Sequence, residues 1–176
     1  MLFRTHAQHL AALIMITDKF TDFYSIIKTV KGSLLAIDFG LKNVGIAITD
    51  NDLKIAMPFI VLNNDANLVA KICDILTQNK CIGVVCGWPI DMHGGVHAHG
   101  ENILFLCGNL FKLTGLPILL WDESMSTRNA LAKVYELDTK RGDKFIKKVG
   151  KGKDDHLAAQ FILNQILDKI CDKNNR

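Results

Sequence analysis

Residues 34–50 read LLAIDFGLKNVGIAITD, and the fold follows from how this stretch divides. LLAIDF is apolar except for one carboxylate, which is the length and composition of a buried strand. VGIAIT alternates through Val44, Ile46 and Ile48 and reads as a second strand. A short turn bracketed by Gly40 and Gly45 joins the two. Asp38 is the anomaly, because an isolated carboxylate in apolar surroundings is costly unless it is paired or neutralised. Either Asp38 stands at the solvent end of its strand and caps the turn, as Asp commonly does, or it serves a site.

Working outward, IAMPFIV forms a third strand, and Pro58 within it argues for an edge position. These three strands read as an antiparallel meander. The style then changes: CIGVVCG and the run from Leu116 to Trp121 are strands that alternate with helices expected over 65–78 and 96–113. Such alternation implies parallel pairing through right-handed crossovers. A further helix is expected over 127–137, and a last one begins near Asp154. The expected fold is α/β, with a mixed five-stranded sheet made of the meander and two parallel strands, and helices on both faces. Residues 1–31 differ in character and end at Lys31-Gly32-Ser33. They read as an N-terminal extension, partly helical or flexible, ahead of a domain spanning 32–173; Met15 offers an alternative start.

Composition sets the outer bounds. With 176 residues, 49% hydrophobic and 22% charged, the chain supports one globular domain with a real core. A net charge of +3 is too small to identify a nucleic-acid partner, so the distribution of charge matters more than its sum. That distribution is uneven: KFIKKVGKGK, residues 144–153, holds five lysines and no acid. Beside an acidic site such a run attracts phosphates and gives salt-dependent binding. The five cysteines form no CxxC pair and lie mostly in apolar segments, as reduced thiols of a cytosolic protein do. LAALIMI near the N-terminus is far short of the ~20 residues that span a bilayer. It also runs into polar TDKF instead of a small-residue cleavage site.

Two further acidic groups deserve the question asked of Asp38. At about 100° per residue, Ala158, Ala159, Ile162, Leu163, Ile166, Leu167 and Ile170 share one face of the last helix, with Gln160, Asn164 and Asp168 opposite. Asp155 lies on the apolar face and Asp154 well off it. Capping and the helix dipole explain Asp154 well and Asp155 less well. Asp122 and Glu123 end the strand LPILLWDE, at the carboxyl end where open α/β sheets form their sites. Carboxylates gathered without matching cations repel one another, and the usual remedy is a hard divalent cation with oxygen ligands. Two such ions about 3.5–4 Å apart can drive phosphodiester hydrolysis. On this reading Asp38 is a metal ligand.

Four motifs in order, DFGLKNVG at 38–45, GWPIDMHG at 87–94, DESMST at 122–127 and KGKDDHLAA at 151–159, together resemble the YqgF/RuvX family. These are RNase H-like proteins described as Holliday junction resolvases or pre-16S rRNA nucleases. The resemblance runs from about Leu34 to Leu167 and implies an RNase H-like fold. It also implies that Asp38, Glu123 and Asp155 form the catalytic and metal-binding set, with Asp122 as an auxiliary. The implied cofactor is Mg²⁺ or Mn²⁺, two ions with substrate bound. The implied activity is hydrolysis of phosphodiester bonds in structured nucleic acid, foremost at the 5′ end of pre-16S rRNA during ribosome biogenesis. Branched DNA and a non-catalytic ribosome-assembly role are the alternatives, with ribosomal precursor particles as partners, a monomer or homodimer as the state, and the cytoplasm as the location. The sequence departs from the family pattern at Leu41, Trp88, Asp91, Ser124 and His156, and none of these is an expected metal ligand. Ser124 replaces an Arg whose usual contact is substrate or phosphate.

Gly40 and Lys42 in the turn after Asp38, with Lys147, Lys148, Lys151 and Lys153, make up the expected nucleic-acid-binding set. Trp88 reads mainly as a loop anchor, although an aromatic ring can stack on a base. His93, His97 and His99 lack Cys or carboxylate partners at a firm ligand spacing and read as a solvated loop. Actin-like ATPases share an Asp strand followed by a glycine hairpin, but they need a second related domain for which 176 residues leave no room.

Overall fold

The computed structural model describes residues 16–88, 100–122 and 155–174. In chain order these form β1 (Ile16–Thr17), α1 (Phe20–Ile27), β2 (Ser33–Phe39), β3 (Asn43–Thr49), β4 (Ala56–Asn63), α2 (Leu68–Gln78), β5 (Cys81–Trp88), α3 (Gly100–Thr114), β6 (Ile118–Asp122) and α4 (Asp155–Asn174). The strands make one sheet in the order β1-β6-β5-β2-β3-β4. β2, β3 and β4 pair antiparallel, whereas β5 lies parallel to β2 and to β6. The α/β class, the meander and the parallel strands are as the sequence implies. The expected helix over 127–137 lies outside the described residues.

The sheet has six strands, not five. The additional one is β1, which pairs parallel with β6 through Ile16↔Ile118 and Thr17↔Leu119. Two residues are too short to carry a period, so the alternation rule is silent there. β1 and α1 come from the stretch read as an extension, yet over 16–27 that stretch packs onto the sheet: Phe23 and Ile27 are fully buried. Burying each of them contributes roughly 1.5–3 kcal/mol. Gly83 of β5 makes room, since a side chain there would bring its Cβ to 2.9 Å from the Phe23 ring.

Pro58 sits in β4, the outermost strand of its side, as its missing N–H requires. A register shift between Ile46 and Ala47 lets Ile46 face Ile60 and Ala47 face Pro58, so β4 carries one extra residue there. α2 begins at Leu68 and not at Asp65. Asp65 stays ahead of the helix, where its carboxylate accepts from Asn67 N (2.8 Å) and Lys71 Nζ (2.8 Å).

Strand alternation divides the core into two layers. Leu35, Ile37, Val44, Ile46, Val84, Cys86 and Ile118 face α2 and α3. Leu34, Ala36, Ala47, Ala56, Val85 and Leu119 face α1 and α4. Most of the helical periodicity of α4 holds: Ala159, Ile162, Leu163, Ile166, Leu167 and Ile170 are buried, Ala158 is half-buried, and Asn164 and Asp168 are exposed, whereas Gln160, expected opposite the apolar face, is half-buried and bonded to the Ala56 carbonyl of β4 (2.8 Å).

Candidate active site at the carboxyl end of the sheet

Asp38 is the penultimate residue of β2, at the end where the parallel strands also stop. The register fixes its neighbours. Ile37 pairs with Cys86, and Cys86 with Leu120, so Asp38 stands level with Gly87 and Trp121 in the parallel strands. On the other side Asp38 pairs directly with Gly45 of β3. Asp38 is half-buried, so it meets solvent at the rim of the core and is not sealed inside it. By alternation its side chain shares a face with Leu34 and Ala36, the face that α4 covers.

The turn that follows is tightly fixed. Asn64, just past β4, donates its Nδ2 to the Gly40 carbonyl (2.9 Å), and its backbone N–H donates to the Lys42 carbonyl (2.9 Å). A Cβ on Gly40 would collide with the carbonyl oxygen of Asn43, so turn closure alone requires glycine at this position. Asn64 carries no sequence signal that would have singled it out. Lys42 is exposed at the tip of the turn and forms no ion pair among the described residues. Lys71 of α2 is instead committed to Asp65 at 2.8 Å. The Lys71 ammonium, with help from the Asn67 N–H, holds the Asp65 carboxyl below the ordinary carboxylate value. Lys42 is therefore the cation of this turn that remains available to an anion.

α4 reaches the same end of the molecule. Trp121, near the end of β6, donates its indole N–H to Gln165 Oε1 (2.5 Å), and Lys169 lies over the Trp121 ring at 5.3 Å. Farther along α4, Asn174 accepts from Tyr24 Oη (2.6 Å). The last turns of α4 line a cavity with residues 28–31 and 51–54, next to where β2 begins and where β3 turns into β4. From Gln165 onward α4 thus runs from the carboxyl end of the parallel strands toward their amino end. Nearer its start, Gln160 donates its Nε2 to the carbonyl of Ala56 (2.8 Å), at the beginning of β4 and level with the amino-terminal part of β2.

Asp122 ends β6 opposite Trp88. It alternates with Leu120 and Ile118, so its side chain is on the α3 side of the sheet and not on the Asp38 side. Trp88 is the last residue of β5, half-buried against the core, and does not belong to the loop assigned to it from sequence. Glu123, Lys147, Lys148, Lys151, Lys153, Ser124, Asp91 and the histidines 93, 97 and 99 lie outside the described residues, as do the side chains of Asp155 and His156. Among the described residues no three His, Cys, Asp or Glu side chains gather to hold a metal. The donor chemistry at Asp38 nonetheless suits a hard divalent ion: an anionic oxygen ligand at a solvent-reached strand end, with no side chain on Gly45 to crowd it. Among the described residues, no helix is long and apolar enough to cross a membrane.

Known proteins give the site its context. A protein from Rickettsia canadensis named "Putative pre-16S rRNA nuclease" is 34% identical over 158 residues, covering 89% of this chain and 98% of its own. Its namesake from Rickettsia africae is 33% identical with the same coverage. Among solved structures, T. thermophilus RuvC in complex with a Holliday junction substrate superposes with a TM-score of 0.52 at 13% identity, covering 79% of this chain and 96% of that one. That likeness concerns the fold, which is thereby RNase H-like. The RuvX family model, described as Holliday junction resolvase, matches residues 32–169. Motifs, topology and these matches agree, and the chain belongs to the RuvX family.

Proposed function

We propose that this protein is a metal-dependent nuclease that hydrolyses phosphodiester bonds in structured RNA, with the 5′ end of pre-16S rRNA as its substrate. The observation that carries the reading is the position of Asp38: a carboxylate at the carboxyl end of the central strand β2, on the face covered by the helix that opens with Asp155. The names of relatives that match 98% of their own length favour pre-rRNA over other nucleic acids.

In this reading Asp38, Glu123 and Asp155 would hold Mg²⁺ or Mn²⁺, two ions with substrate bound. Bound there, the metal would supply an activated water and charge stabilisation for the departing oxygen. The chain's own residues do the remainder. Asp38 anchors the site to the central strand β2, where it pairs with Gly45 of β3 and the preceding Ile37 pairs with Cys86 of β5. Asn64 holds the turn after β2, which presents the Lys42 ammonium to a backbone phosphate. Lys147, Lys148, Lys151 and Lys153 extend this attraction along the substrate, ahead of Asp155 in the chain. The protein works in the cytoplasm, where reduced cysteines and precursor ribosomal particles are both found.

Branched DNA is the second reading, favoured by the family's description as Holliday junction resolvase. One experiment tests the function and chooses between substrates: incubation with a pre-16S rRNA fragment and with a four-way DNA junction, in Mg²⁺, Mn²⁺ or chelator, with Asp38→Asn alongside. The expected result is metal-dependent cleavage of the RNA, abolished in Asp38→Asn while binding persists, because removing a negative charge does not weaken attraction for phosphate. Equal cleavage by wild type and variant refutes the assignment, and cleavage confined to the junction replaces RNA with DNA.

A further inference from the structure

Two glutamines tie α4 to strands on opposite sides of the sheet. Gln160 donates its Nε2 to the Ala56 carbonyl at the start of β4 (2.8 Å), and Gln165 accepts the indole N–H of Trp121 in β6 (2.5 Å). Between those strands lie β5, the Asp38-bearing β2 and β3, so the helix is held across the centre of the sheet. At about 100° per residue the two glutamines fall on opposite borders of the buried stripe formed by Ala159, Ile162, Leu163, Ile166 and Ile170, and both are half-buried. Lys169, one turn after Gln165, covers the Trp121 ring at 5.3 Å. Packing alone fixes the rotation of this helix weakly, because the strands beneath it present Ala36, Ala47 and Ala56, whose single methyl groups give helix side chains little relief to lock into.

We propose that Gln160 and Gln165 are positioning residues for the nuclease site: through these two flanking hydrogen bonds they set the rotation of α4, and with it the direction in which position 155 faces. The inference rests on the nuclease reading above. Asp155 opens α4, four residues before the buried Ala159, and a rigid helix carries a rotation at its middle undiminished to its first turn. Side-chain ends stand about 5–6 Å from a helix axis, so a turn of roughly 20° moves them by about 2 Å. A metal-binding constellation tolerates only about 0.5 Å. Neither glutamine belongs to the apolar stripe itself, so the contribution of each lies in its hydrogen bond and not in buried carbon. Because the bonds sit on opposite borders of the stripe and run to different strands, one opposes rotation in each sense.

The test uses the full chain with Gln160→Met and Gln165→Met, which remove one bond each at nearly constant volume, and Trp121→Phe, which removes the second bond from its other side. Gln165→Glu keeps an acceptor for the indole, whereas Gln160→Glu has no proton to donate to the Ala56 carbonyl. Steady-state cleavage of the nucleic acid that the wild type cuts gives kcat and KM, Mn²⁺ affinity is read by electron paramagnetic resonance with a non-cleavable analogue bound, and thermal melts verify folding. In both methionine variants kcat is expected to fall at least tenfold with KM unchanged, since a misplacement of about 1 Å can cost roughly 10²-fold, and Mn²⁺ is expected to bind severalfold more weakly. Trp121→Phe should reproduce Gln165→Met, and the two combined should lose no more than either alone. Gln165→Glu should restore kcat and Mn²⁺ affinity, and Gln160→Glu should restore neither. Wild-type kcat and Mn²⁺ affinity in the methionine variants overturn the proposal alone, as does an equal loss in Gln165→Glu and Gln165→Met. A wild type that neither binds Mn²⁺ nor cleaves refutes the nuclease reading, and this proposal with it.

Discussion

The two faces of the sheet are built on opposite principles, and the contrast runs through adjacent residues. On β3, Ile46 points toward α2 and α3 among Leu35, Ile37, Val84 and Ile118, while Ala47 points toward α4, close to Ala36 and Ala56. All of these are buried. The first face is filled by large branched side chains and holds its helices off by their bulk. The second is lined with alanines beneath α4, which meets them with Ala159, so helix and sheet backbones can lie close. One face stores stability; the other brings a helix with an acidic first turn down onto the strand that carries Asp38.

This contrast makes opposite predictions for opposite substitutions. Ile46→Ala should be the most damaging to stability, costing roughly 2–5 kcal/mol through lost burial and the cavity left behind, as read from chemical denaturation. Ala47→Leu should cost less, about 1–3 kcal/mol from overpacking, but should lift α4 and impair metal-dependent cleavage beyond what the loss of folded protein explains. If cleavage per folded molecule is unchanged in Ala47→Leu, close approach of α4 is not what assembles the site. The smallest effect belongs to neither face. Asp50 in the β3–β4 turn accepts from Ile55 N (2.9 Å) and Lys54 N (2.7 Å). The Ile55 N–H foremost, then that of Lys54, lowers its pKa against the opposing effect of partial burial. A carboxylate whose folded pKa is lowered stabilises fully above its unfolded pKa and loses that contribution as pH falls through the folded value. Asp50→Ala should therefore cost about 0.5–1.5 kcal/mol at neutral pH, and the difference from wild type should vanish in acid. A gap that persists at low pH would mean the turn is held by something other than the carboxylate.

Much of this fold was legible because its signals are periodic. The face of α4 follows from seven apolar positions at helical spacing, and the edge position of β4 follows from Pro58 alone. β1 was not legible, and of α1 only that its stretch is helical in part: a two-residue strand has no alternation to detect, and an eight-residue helix whose N-cap position, Lys19, makes no side-chain capping bond lacks a start signal that would fix its bounds. What integrates them is tertiary, the fit of Phe23 against Gly83. Trp88 was misplaced into a loop because the glycine before it and the proline after it mask the end of a strand. In the site, Asp38 stood out by its chemical misfit within LLAIDF. Asn64, which holds the neighbouring turn, is one of two adjacent asparagines with no contextual mark, and its role is visible only through its hydrogen bonds to Gly40 and Lys42. That Asp122 faces away from Asp38 is a matter of strand parity, which sequence could not anchor until the register with Trp88 was known.

The central claim is that carboxylates from three separate elements share divalent ions. Mn²⁺ titration followed by electron paramagnetic resonance, with a non-cleavable RNA analogue present to supply phosphate oxygens, tests it most directly. Saturable Mn²⁺ binding is expected in the wild type, together with at least tenfold weaker binding in each of Asp38→Asn, Glu123→Gln and Asp155→Asn. Wild-type Mn²⁺ affinity in the Asp38→Asn or Asp155→Asn protein, with the RNA analogue still bound, would contradict the account.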